Sequence, residues 1–299
     1  MTEKIPLPPP RKAPSVPKKA PPVTTTRPET TKVPNKTFSI KRWEGDKEGE
    51  KIIIYADSGM GKTTLSAMAP SPAFIPIDDG SRKVLHPITG EELFHVEGVE
   101  TFDDYRSVLQ QPDLFKGFDT IITDTSTLVE DLALDWTLAN VPHESGSYVN
   151  RIEGYGWGKG YRHLYDTMKL PLADMDQLIR RGKNIVLICQ LNQIEVANAS
   201  GSDYLKEIPK LSPSHGKGTP SVWSAYVEWA DHVFRIGYET VQAKGGKATA
   251  GNNRAIFVHP EIYYTAKSRG PKLRECPIIS FNSPDDDSLW KFLFPERYV

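Results

Sequence analysis

The stretch Ala56-Asp57-Ser58-Gly59-Met60-Gly61-Lys62-Thr63 constrains this chain more than any other. It follows the β-branched run Lys51-Ile52-Ile53-Ile54-Tyr55 and precedes the helical Thr64-Leu65-Ser66-Ala67-Met68-Ala69, which Pro70 ends. A strand, a glycine-rich turn and a helix in that order build a phosphate-binding loop. Small residues let successive backbone N–H groups turn inward onto a β-phosphate, and the helix N-terminus faces the same anion. Gly59 and Gly61 meet the conformational requirement. Asp57, Ser58, Gly59, Met60, Gly61, Lys62, Thr63 and Thr64 would line the phosphates, with Lys62 bridging β and γ and the Thr63 hydroxyl ligating Mg²⁺. Ala56 stands where the pattern begins with glycine, a mild departure because a methyl group still lets the strand turn into the loop.

Such a loop needs a carboxylate for the Mg²⁺ shell, at the end of a neighbouring buried strand. Asp119-Thr120-Ile121-Ile122-Thr123-Asp124 has that form and puts Asp124 at its carboxyl end. Hydrolysis also needs a group that orients or deprotonates water. The strand candidate Ala73-Phe74-Ile75-Pro76-Ile77 runs into Asp78-Asp79-Gly80, and either carboxylate is suited to that task, although paired carboxylates before glycine are also turn chemistry. Pro76 should hold this strand's end or an unpaired edge. A fourth strand, Asn184-Ile185-Val186-Leu187-Ile188-Cys189, ends in Gln190, a neutral amide suited to sensing a γ-phosphate or simply a polar strand end.

Strands this apolar, separated by helices, imply an α/β fold with a mostly parallel sheet covered on both faces. The helical region 126–181 is broken near 141–160 by Pro142 and a run of glycines. The last third is β-rich: Val233-Phe234-Arg235-Ile236-Gly237-Tyr238 and Ala255-Ile256-Phe257-Val258 read as neighbouring strands, and Ile262-Tyr263-Tyr264 as strand-like. Between them and the fourth strand, 198–221 is a polar connection too long for an ordinary loop. Residues 1–36 contain Pro8-Pro9-Pro10, Pro21-Pro22 and eight Lys or Arg against two Glu. With so little apolar surface they read as a disordered arm, leaving 37–299 as one α/β domain.

Composition narrows the partners. A formal net charge of -1 offers no global basic field, so any nucleic-acid contact must be local. The two cysteines, Cys189 and Cys276, lack metal-ligand neighbours at finger spacing, which argues against zinc or a disulfide framework and fits a reducing cytoplasm. No apolar run approaches the roughly 20 residues that span a bilayer, and the first residues lack a signal peptide's apolar core.

The order of phosphate loop, acidic second strand, Asp124 strand and strand-ending Gln resembles the RecA-like P-loop ATPase core. More narrowly, the chain resembles the short phage-encoded RecA-like ATPases of DNA recombination, on Tyr155-Gly156-Trp157-Gly158-Lys159-Gly160-Tyr161, Gly182-Lys183-Asn184, Glu228-Trp229-Ala230-Asp231 and Ala266-Lys267-Ser268-Arg269-Gly270-Pro271. The resemblance spans about 51–277. It implies ATP rather than GTP, Asp78 as catalytic base where the family more often has Glu, and Gln190 as γ-phosphate sensor. It implies a DNA-contacting loop at 198–221, where Lys206, Lys210, His215 and Lys217 are basic and Tyr204 and Trp223 are placed to stack on bases. Lys267 and Arg269 fit the position of cations donated to a neighbouring subunit's site, which implies a homo-oligomeric ring or filament. The function so implied is an ATPase of phage-type recombination or strand annealing in a host cytoplasm, stimulated by single-stranded DNA, with a single-strand-binding protein as a possible partner. A ring helicase or translocase, and a nucleotide-switched binding module, remain open on the same residues.

Overall fold

The computed structural model describes residues 39–40, 48–198, 201–215, 219–241 and 249–298. The expected arm at 1–36 lies outside them, as does Lys217. The chain divides into two units, Met1–Trp43 and Glu44–Val299, and the described helices and strands all belong to the second. In chain order they are β1 (Lys51–Ala56), α1 (Lys62–Ala67), β2 (Pro72–Pro76), α2 (Phe102–Leu109), β3 (Thr120–Asp124), α3 (Ser126–Asn140), α4 (Lys159–Ile179), β4 (Asn184–Val196), β5 (Tyr204–Pro209), α5 (Val222–Trp229), β6 (His232–Val241), β7 (Thr249–Phe257), β8 (Lys267–Ser268), β9 (Ile278–Ser280) and α6 (Ser288–Leu293).

The apolar run of β1 has no polar alternation, so both of its faces must be covered. It lies inside a sheet ordered β2-β3-β4-β1-β6-β7-β9, with β5 on β4 and β8 on β6. Strands β2, β3, β4, β1 and β6 are mutually parallel, while β7, β9, β5 and β8 pair antiparallel. Ile53, Tyr55, Ile121, Ile185 and Leu187 face a core built with α2, α3, α4 and α5. Ile52, Ile54, Ile122, Val186 and Ile188 face the other, with Leu65 of α1 and Trp290 and Leu293 of α6. Each fully buried Ile or Leu contributes about 1.5–3 kcal/mol over its exposed state. This is the α/β fold with a parallel core and β-rich C-terminal part that the sequence implies. Among the described residues no helix is long and apolar enough to cross a membrane.

Pro76 ends β2 at the margin of the strand order, as its missing N–H requires. The β2 edge is covered by 94–96, through Phe74 N–H to Phe94 O and Val96 N–H to Phe74 O, both 2.8 Å. The break expected near 141–160 separates α3 from α4. Helix α2 was not anticipated, yet its signal is local: Thr101 and Asp104 form a reciprocal capping box, and Phe102, Tyr105, Val108 and Leu109 are buried. Arg106 then pairs with the buried Asp174 at 2.8 Å and fixes α2 to α4.

Two expectations are corrected. The fourth strand does not stop at Gln190. It continues to Val196 and pairs antiparallel with β5, so Tyr204–Pro209 of the supposed 198–221 loop is the return strand of a hairpin. The residues past Gln190 have one side to solvent, so they lack the continuous apolar signature of the first half. The foot of β5 is anchored by buried Ile208 and by the Glu207–Arg235 ion pair to β6. Ile262-Tyr263-Tyr264 is a turn rather than a strand, with Tyr264 bridging to Glu207 and Glu261.

Candidate active site at the phosphate-binding loop

Parallel strands end on one edge, and here that edge collects the expected residues. The register opposes Ala56 to Gln190, Asp124 to Ile188 and Pro76 to Asp124. Strand β4 thus lies between the loop strand and the Asp124 strand, and Gln190 stands beside the start of the phosphate loop.

Gly59 and Gly61 take φ values of 77° and 89°, in the left-handed region where a Cβ is strained. Gly61 is the residue before α1, so the loop turns directly into that helix. Asp57, Ser58 and Gly59 are exposed, and Met60 is buried beneath them. Lys62 folds back to donate to the carbonyls of Ala56 at 3.0 Å and Asp57 at 2.8 Å. Desolvation lowers its pKa, opposed by Asp124, Asp57, Cys189 and Asp78.

The Thr63 hydroxyl donates to Asp124 Oδ2 at 2.8 Å. Asp124 is 3% exposed. Burial pushes its carboxyl up to about 6, opposed by the Thr63 hydrogen bond and Lys62 and reinforced by Asp78. A buried carboxylate this costly calls for a cation. One hydroxyl and one carboxylate, both hard oxygen donors, suit Mg²⁺, which is usually held by one or two carboxylates together with phosphate oxygens and water.

Asp78 and Asp79 are separated by their surroundings. Asp78 lies within electrostatic reach of both Lys62 and Asp124, and its Oδ1 accepts from Gly80 N–H at 2.8 Å. Asp79, 83% exposed, turns to Arg82 at 3.0 Å. Only the first belongs to the charged cluster around the loop.

The Gln190 side chain accepts from Lys210 Nζ at 3.2 Å, and its carbonyl accepts from Lys210 N–H at 2.8 Å. Thr127 Oγ1 receives the Gln190 N–H at 3.1 Å and donates to Lys210 O at 3.1 Å. Glu130, one turn along α3, takes the Ser212 N–H with both oxygens at 3.0 Å. Sequence reasoning missed Thr127 and Glu130, because only the hairpin β4–β5 brings their helix to Lys210 and Ser212. Burial pushes Glu130 up to about 7, against the Ser212 hydrogen bonds and with help from Asp131.

Three of the other residues expected to face DNA, His215, Tyr204 and Trp223, pack against protein side chains. His215 stacks on Tyr161 with ring centroids 4.0 Å apart, and Tyr204 meets Tyr263 edge-on at 6.0 Å. Trp223 is half-buried against the core. Lys206 sits on β5 opposite Ile194.

Lys267 and Arg269 do not join the loop of their own chain. Strand β8 pairs with the first residues of β6, which lie beside Ile52 and Ile53, at the opposite edge of the sheet from the phosphate loop. There Lys267 Nζ caps the end of α5, donating to Val227 O at 2.7 Å and Ala230 O at 2.5 Å. Arg269 donates to Glu228 O at 3.0 Å and Asp231 Oδ1 at 3.1 Å.

Residues 48–270 match a family model described as AAA domain. Among solved structures the chain is similar to the KaiC-like protein PH0186 from the hyperthermophilic archaea Pyrococcus horikoshii OT3, at 12% identity and a TM-score of 0.38, covering 78% of this chain and 90% of that one. No curated protein matches it.

Proposed function

This chain belongs to the AAA domain family, and we propose that it binds ATP with Mg²⁺ at the 56–63 loop and hydrolyses it. The observation that carries the reading is the 2.8 Å bond from Thr63 to buried Asp124, which brings together the two oxygens that would hold the metal. Bound Mg²⁺ would supply charge neutralisation on the phosphates. The chain's own residues do the rest. Lys62 exchanges its two loop carbonyls for phosphate oxygens, the loop N–H groups face the β-phosphate, and Asp78 orients or deprotonates water. Gln190, held by Lys210, reports the γ-phosphate to the β4–β5 hairpin.

The finer reading is an ATPase of phage-type recombination or strand annealing, assembled as a homo-oligomer and stimulated by single-stranded DNA. Its support is the resemblance of the motifs, together with the place of Lys267 and Arg269. These cations lie at the sheet edge away from their own loop, so a γ-phosphate they act on would be one bound by a second copy.

The test is the ATPase rate with and without single-stranded DNA, read beside molecular mass in ATP, with Lys62→Ala as the inactive control. Turnover that depends on Lys62 and rises with DNA as mass increases supports both levels. Turnover indifferent to DNA in a monomer leaves the ATPase and removes the recombination role. Equal turnover in Lys62→Ala removes the site itself.

A further inference from the structure

We infer that Arg254, carried on the antiparallel strand β7, is a positioning residue for the phosphate loop, fixing the Met60–Gly61 peptide so that its N–H faces the nucleotide. Arg254 Nη1 donates to the Met60 carbonyl at 3.2 Å. That peptide is trans, and in a planar trans peptide the C=O and N–H point in opposite directions. A cation holding the Met60 oxygen from the β7 side therefore aims the Gly61 N–H away from itself. The loop's amides act on phosphate through such orientation, and an oxygen held by a charged donor cannot rotate inward to repel the anion.

Arg254 is itself held. Its guanidinium lies over the ring of Phe281, 4.8 Å from the centroid. Phe281 is fully buried and its N–H donates to Arg254 O at 2.8 Å. The pair fits closely against the loop. A Cβ on Gly61 would lie 2.9 Å from Arg254 Nη1 and 3.1 Å from the Phe281 ring. Gly61 is thus required by its φ of 89°, and a Cβ there would also press on the Arg254 guanidinium and the Phe281 ring. Phe281 falls outside the matched 48–270 region, so the loop of the family domain is braced by a segment beyond the match.

This inference rests on the loop being a nucleotide site. The experiment compares ADP affinity and the kinetic constants for Mg·ATP in the full chain and in Arg254→Ala, Arg254→Lys and Phe281→Leu, with thermal unfolding of each. Without Arg254 the Gly61 N–H should lose its hydrogen bond to the charged phosphate in ground and transition state alike, raising Kd and KM about tenfold to a hundredfold and leaving kcat within about threefold. Arg254→Lys keeps a cation for the Met60 oxygen and should recover most of the affinity, while Phe281→Leu should lose part of it. Unchanged ADP affinity in Arg254→Ala overturns the inference. So does an affinity loss that follows the unfolded fraction, with Lys no better than Ala. A native chain that binds no ADP fails at the nucleotide site itself, whereas one that binds ADP equally with and without Arg254 fails only at the positioning role.

Discussion

Thr63 at the start of α1 and Asp124 at the end of β3 are 61 positions apart in sequence and share a 2.8 Å hydrogen bond. The bond joins the phosphate loop to the acidic strand end, and it partly offsets the cost of burying the carboxylate. With Mg²⁺, the same two oxygens would turn from each other to the ion.

Thr63→Ala should therefore weaken the Mg²⁺ dependence of ATP binding and lower turnover about a hundredfold or more. Asp124→Asn should do the same while leaving metal-free ADP binding close to native. Titrating Mg²⁺ at fixed nucleotide measures both. A native Mg²⁺ dependence in either variant contradicts the ligand assignment.

Asp78→Asn should bind ATP and hydrolyse it slowly, about a hundredfold or more below native if the group acts as a general base. Asp79→Asn should hydrolyse at a near-native rate, because that carboxylate faces the exposed Arg82. Single-turnover rates separate binding from chemistry, and a reversed order of the two variants would make Asp79 the base.

Arg269→Ala should lose two surface bonds to Glu228 and Asp231 and little stability. Mixed with Lys62→Ala subunits, it should recover part of the activity, since one interface then holds both an intact loop and an intact cation. No recovery at any ratio in a mixed assembly verified by mass would rule out a shared site.

Glu130 gives a pH signature. Its folded pKa is about 7, raised from the ordinary 4.5 chiefly by burial. Its contribution is thus fully present below the unfolded value and is lost as pH rises through about 7. Relative to Glu130→Gln, the native chain should lose stability on the order of 2 kcal/mol between about pH 4.5 and 7.5. Denaturant unfolding of both at several pH values checks this; parallel curves would mean that Glu130 does not titrate in that window.

Much of the site is local chemistry and is therefore legible in the chain. The phosphate loop, Asp124 and the acidic pair after β2 announce themselves because a strand end and the turn after it are consecutive residues. The parallel core follows from apolar runs that no half-exposed strand would carry. What escaped depends on strands with one wet face, such as β5, whose side chains do not alternate cleanly, and on short helices such as α2, whose local capping signal spans only eight helical residues.

Residue order alone is enough to specify a phosphate-binding loop, a sheet behind it buried on both faces, and acidic residues ending two further strands. Those features rest on short-range order, set by backbone freedom at Gly59 and Gly61 and by continuous apolar runs. The folded chain was needed to show which of Asp78 and Asp79 lies within electrostatic reach of Lys62, that Gln190 is held by Lys210, that Lys267 and Arg269 lie away from their own loop, and that Arg254 grips Met60 from 194 positions later. Each of these depends on strand order and register, which long-range pairing and burial select and which no local pattern encodes.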